Sequence, residues 1–284
     1  MKIKKWLSVA AIATVAGLTL AACGNSDKNA DNTTTVKIAT VNRSGSEEAR
    51  WDKVQELVEK DGIKLEFTEF TDYSQPNKAT ADGEVDLNAF QHYNFLNNWN
   101  KENGKDLVAI AETYISPIRL YSGKNGDENK YTKVEEIPDN GEIAVPNDAT
   151  NESRALYLLQ SAGLIKLDVS GTELATIANI KENPKNLKIT ELDATQTARS
   201  LTSVDAAVVN NTFVTEAKLD YKKALFTEQA DENSKQWYNI IVAKSDWESS
   251  PKADAIKKII AAYHTDEVKK VIEETSDGLD QPVW

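Results

Sequence analysis

Cysteine and histidine are nearly absent from this chain of 284 residues, which has a single cysteine and two histidines. A lone cysteine excludes a disulfide framework within the chain and any metal site built from several cysteines. The two histidines, His92 and His264, leave little material for a histidine-based metal site. The sequence therefore predicts a protein without a metal site.

Positive charge is also scarce. The chain has 33 lysines and arginines but 45 aspartates and glutamates, which gives a formal net charge of −12. Proteins that bind nucleic acid contact its phosphates through clustered lysine and arginine. The acidic balance therefore argues against nucleic acid as a partner. A content of 40% hydrophobic and 27% charged residues is typical of soluble globular proteins, and the length suits two modest lobes.

The familiar enzyme motifs are missing as well. The sequence contains no Gly-x-Ser-x-Gly elbow, no glycine-rich phosphate-binding loop and no His-Glu-x-x-His. Acidic pairs such as Glu47-Glu48 and Glu135-Glu136 look like solvated faces. We predict that the protein is not an enzyme; a hydrolase that uses two carboxylates in a cleft remains the alternative, although no motif favours it.

The N-terminus has the pattern of a targeting signal. Three lysines in the first five residues precede an uncharged, apolar run over residues 7–22, which is typical of a signal peptide rather than a stable membrane span. The sequence Leu20-Ala21-Ala22-Cys23 resembles the bacterial lipobox, in which cleavage precedes a cysteine that becomes lipidated. We predict a signal peptide over 1–22, lipidation of Cys23 and a flexible polar tether over 23–35. The alternative is an ordinary secretory signal with a chance cysteine.

From residue 36 onward, apolar strand patterns alternate with helical ones. Strands are predicted near 36–41, 63–67, 85–90, 107–111, 142–145, 187–192, 204–209 and 238–243. This rhythm implies an α/β fold with mostly parallel sheets covered by helices. A polar, turn-rich stretch over 122–140 separates two such series. We therefore predict one lobe from 36–120 plus 240–284 and a second lobe from 121–239.

Polar and aromatic residues gather where one predicted strand ends and a helix begins. Phe90 and His92 lie at this turn, and Tyr73 and Phe95 lie nearby in the sequence. Ligands of open α/β sheets bind at the carboxyl ends of the strands, and small-molecule sites are built largely from apolar and aromatic side chains. The four side chains are therefore candidates for one wall of a ligand pocket, although each aromatic residue would also suit a hydrophobic core.

A second group of candidates carries hydrogen-bonding groups. Asn151 is a predicted N-cap, which would place Arg154 in the first helical turn beside free backbone N–H groups and make an anion site. Asn210 and Asn239 end or occupy strands, where a buried amide needs partners. A ligand's ammonium or carboxylate would satisfy them, and so would neighbouring backbone. For Arg154, pairing with a nearby acid is the alternative.

Several motifs resemble those of a known family. They are Asp72-Tyr73-x-x-Pro76-Asn77, Gly83-x-x-Asp86-x-Asn88-Ala89-Phe90-Gln91-His92, Pro146-Asn147-Asp148-x-x-Asn151-x-x-Arg154-Ala155-Leu156, Glu182-Asn183-Pro184-Lys185-Asn186-Leu187, Asp205-Ala206-Ala207-Val208-Val209-Asn210 and Tyr238-Asn239-Ile240-Ile241-Val242. Between residue 36 and about residue 272 the chain resembles the substrate-binding lipoproteins of bacterial methionine ABC importers, which belong to the broader family of NlpA-type lipoproteins.

The resemblance implies a two-lobed periplasmic-binding-protein fold of type II, with the ligand in the cleft. In that family, aromatic residues and a histidine surround the methionine side chain, while an arginine and asparagines hold the charged ends of the amino acid. The first set corresponds to Tyr73, Phe90, His92 and Phe95, and the second to Arg154, Asn210, Asn239 and Asn151. Phe95 stands where the family usually has tyrosine, and Ser116, Arg119 and Ala149 also depart from its pattern.

The resemblance also implies a role. The protein is expected to capture an amino acid, methionine first of all, and to deliver it to an ABC permease and its ATPase. It is expected to be a monomer without a cofactor, held by its lipid anchor on the outer face of the cell membrane. A methionine-containing dipeptide or another small amino acid remains an alternative ligand.

Overall fold

Residues 33–284 are the part of the chain that this computed structural model describes. The predicted signal peptide and Cys23 lie outside these residues, as does most of the tether. The first strand begins at Thr34, inside the predicted tether. No helix within residues 33–284 is long and apolar enough to cross a membrane.

The described chain alternates strands with helices. The strands are β1 (Thr34–Val41), β2 (Ile63–Phe70), β3 (Leu87–His92), β4 (Val108–Glu112), β5 (Tyr114–Ile115), β6 (Arg119–Ser122), β7 (Lys124–Asn125), β8 (Glu128–Asn129), β9 (Glu142–Pro146), β10 (Lys166–Leu167), β11 (Ile180–Glu182), β12 (Lys188–Leu192), β13 (Ala206–Val209), β14 (Phe226–Thr227), β15 (Asn239–Ala243) and β16 (Gln281–Pro282). The α-helices are α1 (Gly45–Glu59), α2 (Gln75–Ala81), α3 (Tyr93–Asn103), α4 (Ala149–Ser161), α5 (Ala194–Ser200), α6 (Asn211–Glu216), α7 (Ala253–Tyr263) and α8 (Asp266–Thr275).

Two five-stranded sheets organise these elements. Their strand orders are β2-β1-β3-β15-β4 and β12-β9-β13-β6-β14. In each sheet the fourth strand, β15 or β6, is antiparallel to both neighbours and the other strands run parallel. The prediction of mostly parallel sheets in an α/β fold is confirmed. β6 is the strand by which the chain enters the second sheet, and β15 is the strand by which it returns to the first.

Each sheet has its own hydrophobic core. In the first, α1, α7 and α8 pack on the strands, and Trp51 meets Tyr263 edge-to-face at 5.2 Å between ring centroids. In the second, Leu156 and Leu159 of α4 are completely buried against the strands. Separate cores are what a chain of two lobes requires; the lobe boundaries given above stay a prediction.

The helix starts differ from those predicted. The sequence favours Ser46, which precedes Glu47 and Glu48, as the N-cap of α1. In the structure Ser44 caps this helix instead, by accepting a hydrogen bond from the Glu47 N–H. Asp148, rather than Asn151, caps α4, because β9 ends at residue 146 and the carboxylate reaches the Asn151 N–H at 3.0 Å. Arg154 therefore lies in the second turn of α4, and its predicted position beside free N–H groups was wrong.

A buried group of amides fixes α2 against β3. The Asn77 Nδ2 donates to Gln91 Oε1 at 2.8 Å, Gln91 Nε2 donates to Asn88 Oδ1 at 2.7 Å, and Asn88 Nδ2 donates to Thr80 Oγ1 at 2.8 Å. Each of these side chains is almost fully buried, so each needs its partner. The group sets the position of Phe90 and of the segment that leads into α2.

The turn after β6 depends on Gly123. A Cβ atom added there would lie 2.1 Å from the Val204 carbonyl oxygen, so the backbone would have to move. We expect Gly123→Ala to lower the free energy of unfolding by roughly 1–3 kcal/mol, the usual cost of overpacking. Gly45→Ala, where no atom lies within 4 Å of the added Cβ, is the matched control. Equal melting temperatures for both variants in a thermal unfolding experiment would contradict this account.

Candidate functional site

One cavity of about 550 Å³ lies between the carboxyl end of β3 and the amino-terminal regions of α4 and α6. All eight residues predicted from the sequence line it: Tyr73, Phe90, His92, Phe95, Asn151, Arg154, Asn210 and Asn239. Its volume falls in the range of small-molecule sites. The structure therefore brings together both predicted groups, the aromatic and the hydrogen-bonding one.

Three aromatic rings form the apolar wall. Tyr73 lies 6.0 Å from Phe90 and 6.1 Å from Phe95 between ring centroids, and Phe90 lies 5.7 Å from Phe95. Phe213 of α6 adds a ring 5.2 Å from Tyr73, from the side of the second sheet. Burial holds the pKa of the Tyr73 hydroxyl well above its ordinary value, so this wall carries no charge.

His92 is a neutral hydrogen-bond donor in this wall. As the N-cap of α3 it accepts a hydrogen bond at Nδ1 from the Phe95 N–H at 3.1 Å, so its proton is on Nε2. That Nε2 lies 3.3 Å from Asn151 Oδ1, to which it donates. Burial, with the nearby Arg154 charge, lowers the pKa of His92 to about 3. Both ring nitrogens are occupied, which leaves this histidine unsuited to act as a general base.

A chain of hydrogen bonds fixes the amides beside it. The Asp148 carboxylate accepts from the Asn151 Nδ2, at 3.0 Å to Oδ2. Asn151 Oδ1 is thereby turned toward Asn210, whose Nδ2 donates to it at 2.8 Å. The Asn210 Oδ1 is buried and has no hydrogen-bond partner within residues 33–284. An unpaired buried acceptor that lines a cavity is suited to a donor from a ligand.

Arg154 is buried and already paired. Its Nε donates to Glu228 Oε1 at 2.8 Å, its Nη2 donates to Glu228 Oε2 and, at 3.0 Å, to the Ser116 carbonyl, and its guanidinium lies 5.0 Å from the centroid of Trp237. Pairing with an acid was the alternative interpretation of this residue, but the pair lies against the cavity and not on the surface. Glu228 was missed because it follows a two-residue strand 74 positions away, with no motif around it.

Asn239 opens β15 and pairs in register with His92 of β3. The antiparallel pairing brings its side chain to the same cavity, which it lines. No side-chain hydrogen bond joins this amide to another of the described residues, so both its donor and its acceptor are available there.

Two acidic residues also line the cavity and were not foreseen. Glu47 lines it, so the expectation of a solvated face was wrong for this residue, and burial raises its pKa to about 7. Asp280 also lines it and bonds to Arg50 and to the Ser116 hydroxyl. No sequence signal could relate Asp280 to Arg50, because 230 positions separate them.

The elements on the two sides of the cavity touch across it. Asn42, after β1, donates from Nδ2 to Glu216 of α6 at 3.0 Å, and the His92–Asn151 and Tyr73–Phe213 contacts also join the two sides. These contacts describe a closed arrangement of the cleft. Residues 33–284 contain no group of three or more histidine, cysteine, aspartate or glutamate side chains that could hold a metal ion.

The chain is similar to a known family and to several known proteins. The profile of the family described as NlpA lipoprotein matches residues 36–284. The D-methionine-binding lipoprotein MetQ of Salmonella typhi is 36% identical over 287 residues, covering 100% of this chain and 99% of the relative. Two solved structures are also similar. The substrate-binding protein of a methionine transporter from Streptococcus pneumoniae is 91% identical with a TM-score of 0.86, covering 88% of this chain and 96% of the other. A nutrient-binding protein from Burkholderia cenocepacia, bound to methionine, is 38% identical with a TM-score of 0.78, covering 88% and 100%.

The state of His92 is testable by its titration. Because the unfolded chain takes up this proton near pH 6.5 and the folded one only near its lowered pKa of about 3, stability is expected to fall as the pH drops through that interval. In NMR spectra the His92 ring signals should therefore stay constant between about pH 5 and 8. His92→Gln assigns the signals, since His264 is the other histidine. A His92 titration midpoint near 6.5 would contradict the neutral, Nε2-protonated form.

Proposed function

Because the chain belongs to the NlpA lipoprotein family, we propose that it is the substrate-binding lipoprotein of an ABC importer and that its ligand is methionine. It captures the amino acid outside the membrane and delivers it to the permease. Like the transporter proteins that it resembles, it catalyses no reaction.

One observation carries this proposal. The buried, unpaired Asn210 Oδ1 and the guanidinium of Arg154 line the same cavity. An acceptor for an ammonium group and a donor for a carboxylate are what a zwitterion needs when it leaves water, since unpaired charges are costly to bury. Asn239 offers a further free amide beside them. Asn151 contributes indirectly, because its own groups are bound to Asp148, His92 and Asn210.

The aromatic wall supports methionine among the amino acids. A thioether is polarisable and makes favourable contacts with ring edges and faces, which Tyr73, Phe90 and Phe95 supply. The neutral His92 completes this apolar surface without bringing a charge. Phe95, where the family usually has tyrosine, removes one hydroxyl and keeps the wall apolar.

A dipeptide that contains methionine is the second candidate for the same role. The cavity is also lined by Glu47, in the first turn of α1, and by Asp280, which follows α8. These carboxylates would accept hydrogen bonds from the amino group of a preceding residue. A single amino acid would leave these carboxylates to water.

The lipid on Cys23 would anchor the protein to the outer face of the cell membrane, and the tether would let the folded part reach the permease. The partners of this role are the permease, its ATPase and the membrane, with the protein acting as a monomer. Closure of the two sides over the ligand, of the kind that Asn42 and Glu216 make, would present one defined surface to the permease.

The function is tested by ligand binding to protein that starts at residue 24. Native mass spectrometry followed by calorimetry with L-methionine, D-methionine, Gly-Met and the other amino acids should give a complex with methionine in at least one enantiomer. Asn210→Ala should weaken methionine binding at least tenfold, or about 1.4 kcal/mol, because the ammonium loses its acceptor.

The control for this test is 4-(methylthio)butanoate, which is methionine without its amino group. Asn210→Ala should leave its affinity unchanged. No heat with any amino acid or with Gly-Met would contradict the transport function, and an equal loss for methionine and for the control would contradict the role of Asn210.

The anchor is tested separately. Cys23→Ala should move the protein from the membrane fraction to the soluble fraction and abolish labelling by a palmitate analogue, because the acyl acceptor is gone. The methionine affinity of the purified protein should not change. Labelling that persists in the variant would exclude Cys23 as the lipidated residue.

A further inference from the structure

We propose that Glu228 is a positioning residue that fixes Arg154 and thereby gives the site its requirement for a ligand carboxylate. This inference rests on the proposed function. Glu228 does not line the cavity; it lies behind Arg154 and binds it through both carboxylate oxygens. Its effect on a ligand would therefore pass through the guanidinium.

Glu228 is itself held at two points by one residue. Its N–H donates to the Ile118 carbonyl at 3.0 Å, and the Ile118 N–H donates back to Glu228 Oε2 at 3.2 Å. Ile118 is buried, lines the cavity and directly precedes β6. Both the backbone and the carboxylate of Glu228 are thus tied to the segment between β5 and β6. A carboxylate held in this way offers Arg154 one orientation only.

The remaining contacts of Arg154 agree with a fixed orientation. Its Nη2 also donates to the Ser116 carbonyl, two residues before Ile118, and the guanidinium packs on Trp237. The Nε and Nη2 edge, which normally grips a carboxylate in two parallel bonds, is therefore occupied by Glu228. Nη1 is the guanidinium nitrogen without a hydrogen bond to any of the described residues. Nη1 is thus the one nitrogen available to the ligand carboxylate. The alignment of that carboxylate therefore depends on how Glu228 orients the plane of the guanidinium.

The pair also sets the charge of the site. Arg154 and Glu228 cancel each other, and His92 is neutral. The part of the cavity beside Arg154 is therefore neutral, and a neutral region with separated donor and acceptor suits a zwitterion. Loss of Glu228 would release Arg154 from its fixed orientation, so that the guanidinium would no longer be aligned with a ligand carboxylate.

The test compares methionine with methioninamide, which lacks the carboxylate charge. The wild type should bind methionine at least tenfold more tightly. In Glu228→Gln the oxygen that accepts from the Ile118 N–H still accepts from Arg154 Nη2, but Arg154 Nε loses its acceptor and faces an NH₂ group. The guanidinium is then no longer held by two parallel bonds, so the ratio of the two affinities should fall toward one through weaker methionine binding. Glu228→Asp keeps the charge but is shorter by one methylene group, and it should give an intermediate ratio. If Glu228→Gln does not fold, Glu228→Asp alone is compared with the wild type.

Glu69→Gln is the control, since Glu69 also pairs with an arginine, Arg43, but at an exposed position outside the cavity, with an Nε–Oε1 distance of 3.0 Å. It should leave the ratio unchanged. An unchanged or higher ratio in the Glu228 variants, even with lower melting temperatures, would overturn the inference. A merely structural residue would weaken both ligands equally, and a residue that acts only as a counter-charge would raise the preference for the carboxylate when it is removed. A wild type that binds no methionine would instead contradict the proposed function and remove this inference with it.

Discussion

The direction of the hydrogen bonds around the cavity depends on the carboxylate of Asp148. A carboxylate can only accept, so the Asn151 amide must turn its nitrogen toward it and its oxygen away. That oxygen then accepts one hydrogen bond from His92 Nε2 and one from Asn210 Nδ2. The acceptor left free at Asn210 is thus fixed by a residue that serves first as a helix cap. One series of hydrogen bonds, from Asp148 through Asn151 to Asn210, therefore connects the helix cap with the acceptor that faces the ligand.

Two buried ion pairs hold the segment over residues 113–118, where the chain passes from the first sheet to the second. In the first pair, Arg50 with Asp280, the aspartate accepts a hydrogen bond from the Ser116 hydroxyl. In the second pair, Arg154 with Glu228, the arginine donates to the Ser116 carbonyl. Each arginine also stacks on an aromatic ring, Tyr114 or Trp237. Buried ion pairs contribute little net stability, because desolvation offsets their attraction. Here they fix the conformation of the segment over residues 113–118, whose only regular structure is the two-residue strand β5.

The sequence was informative where the physical signal is local. Apolar patterns indicated most of the strands in the two sheets, and a strand-to-helix turn placed Phe90 and His92 at the cavity. The helix starts were misjudged because several polar residues in succession can each act as a cap, and only the end of the preceding strand decides between Asp148 and Asn151. Glu228 and Asp280 could not be found at all. Their partners are distant in the chain, and an acidic residue in a polar stretch gives no sign of being buried.

The position of the antiparallel strand in each sheet bears on the order in which the two sheets can be completed as the chain emerges during synthesis. All strands of the second sheet come from one continuous stretch that ends at β14, so this half is complete once residue 227 has emerged. The first sheet is complete only when β15 and the covering helices α7 and α8 have been synthesised. The half that begins the chain is thus the half that is finished last. A truncation shortly before β15 would leave an ordered second half attached to an unfinished first one.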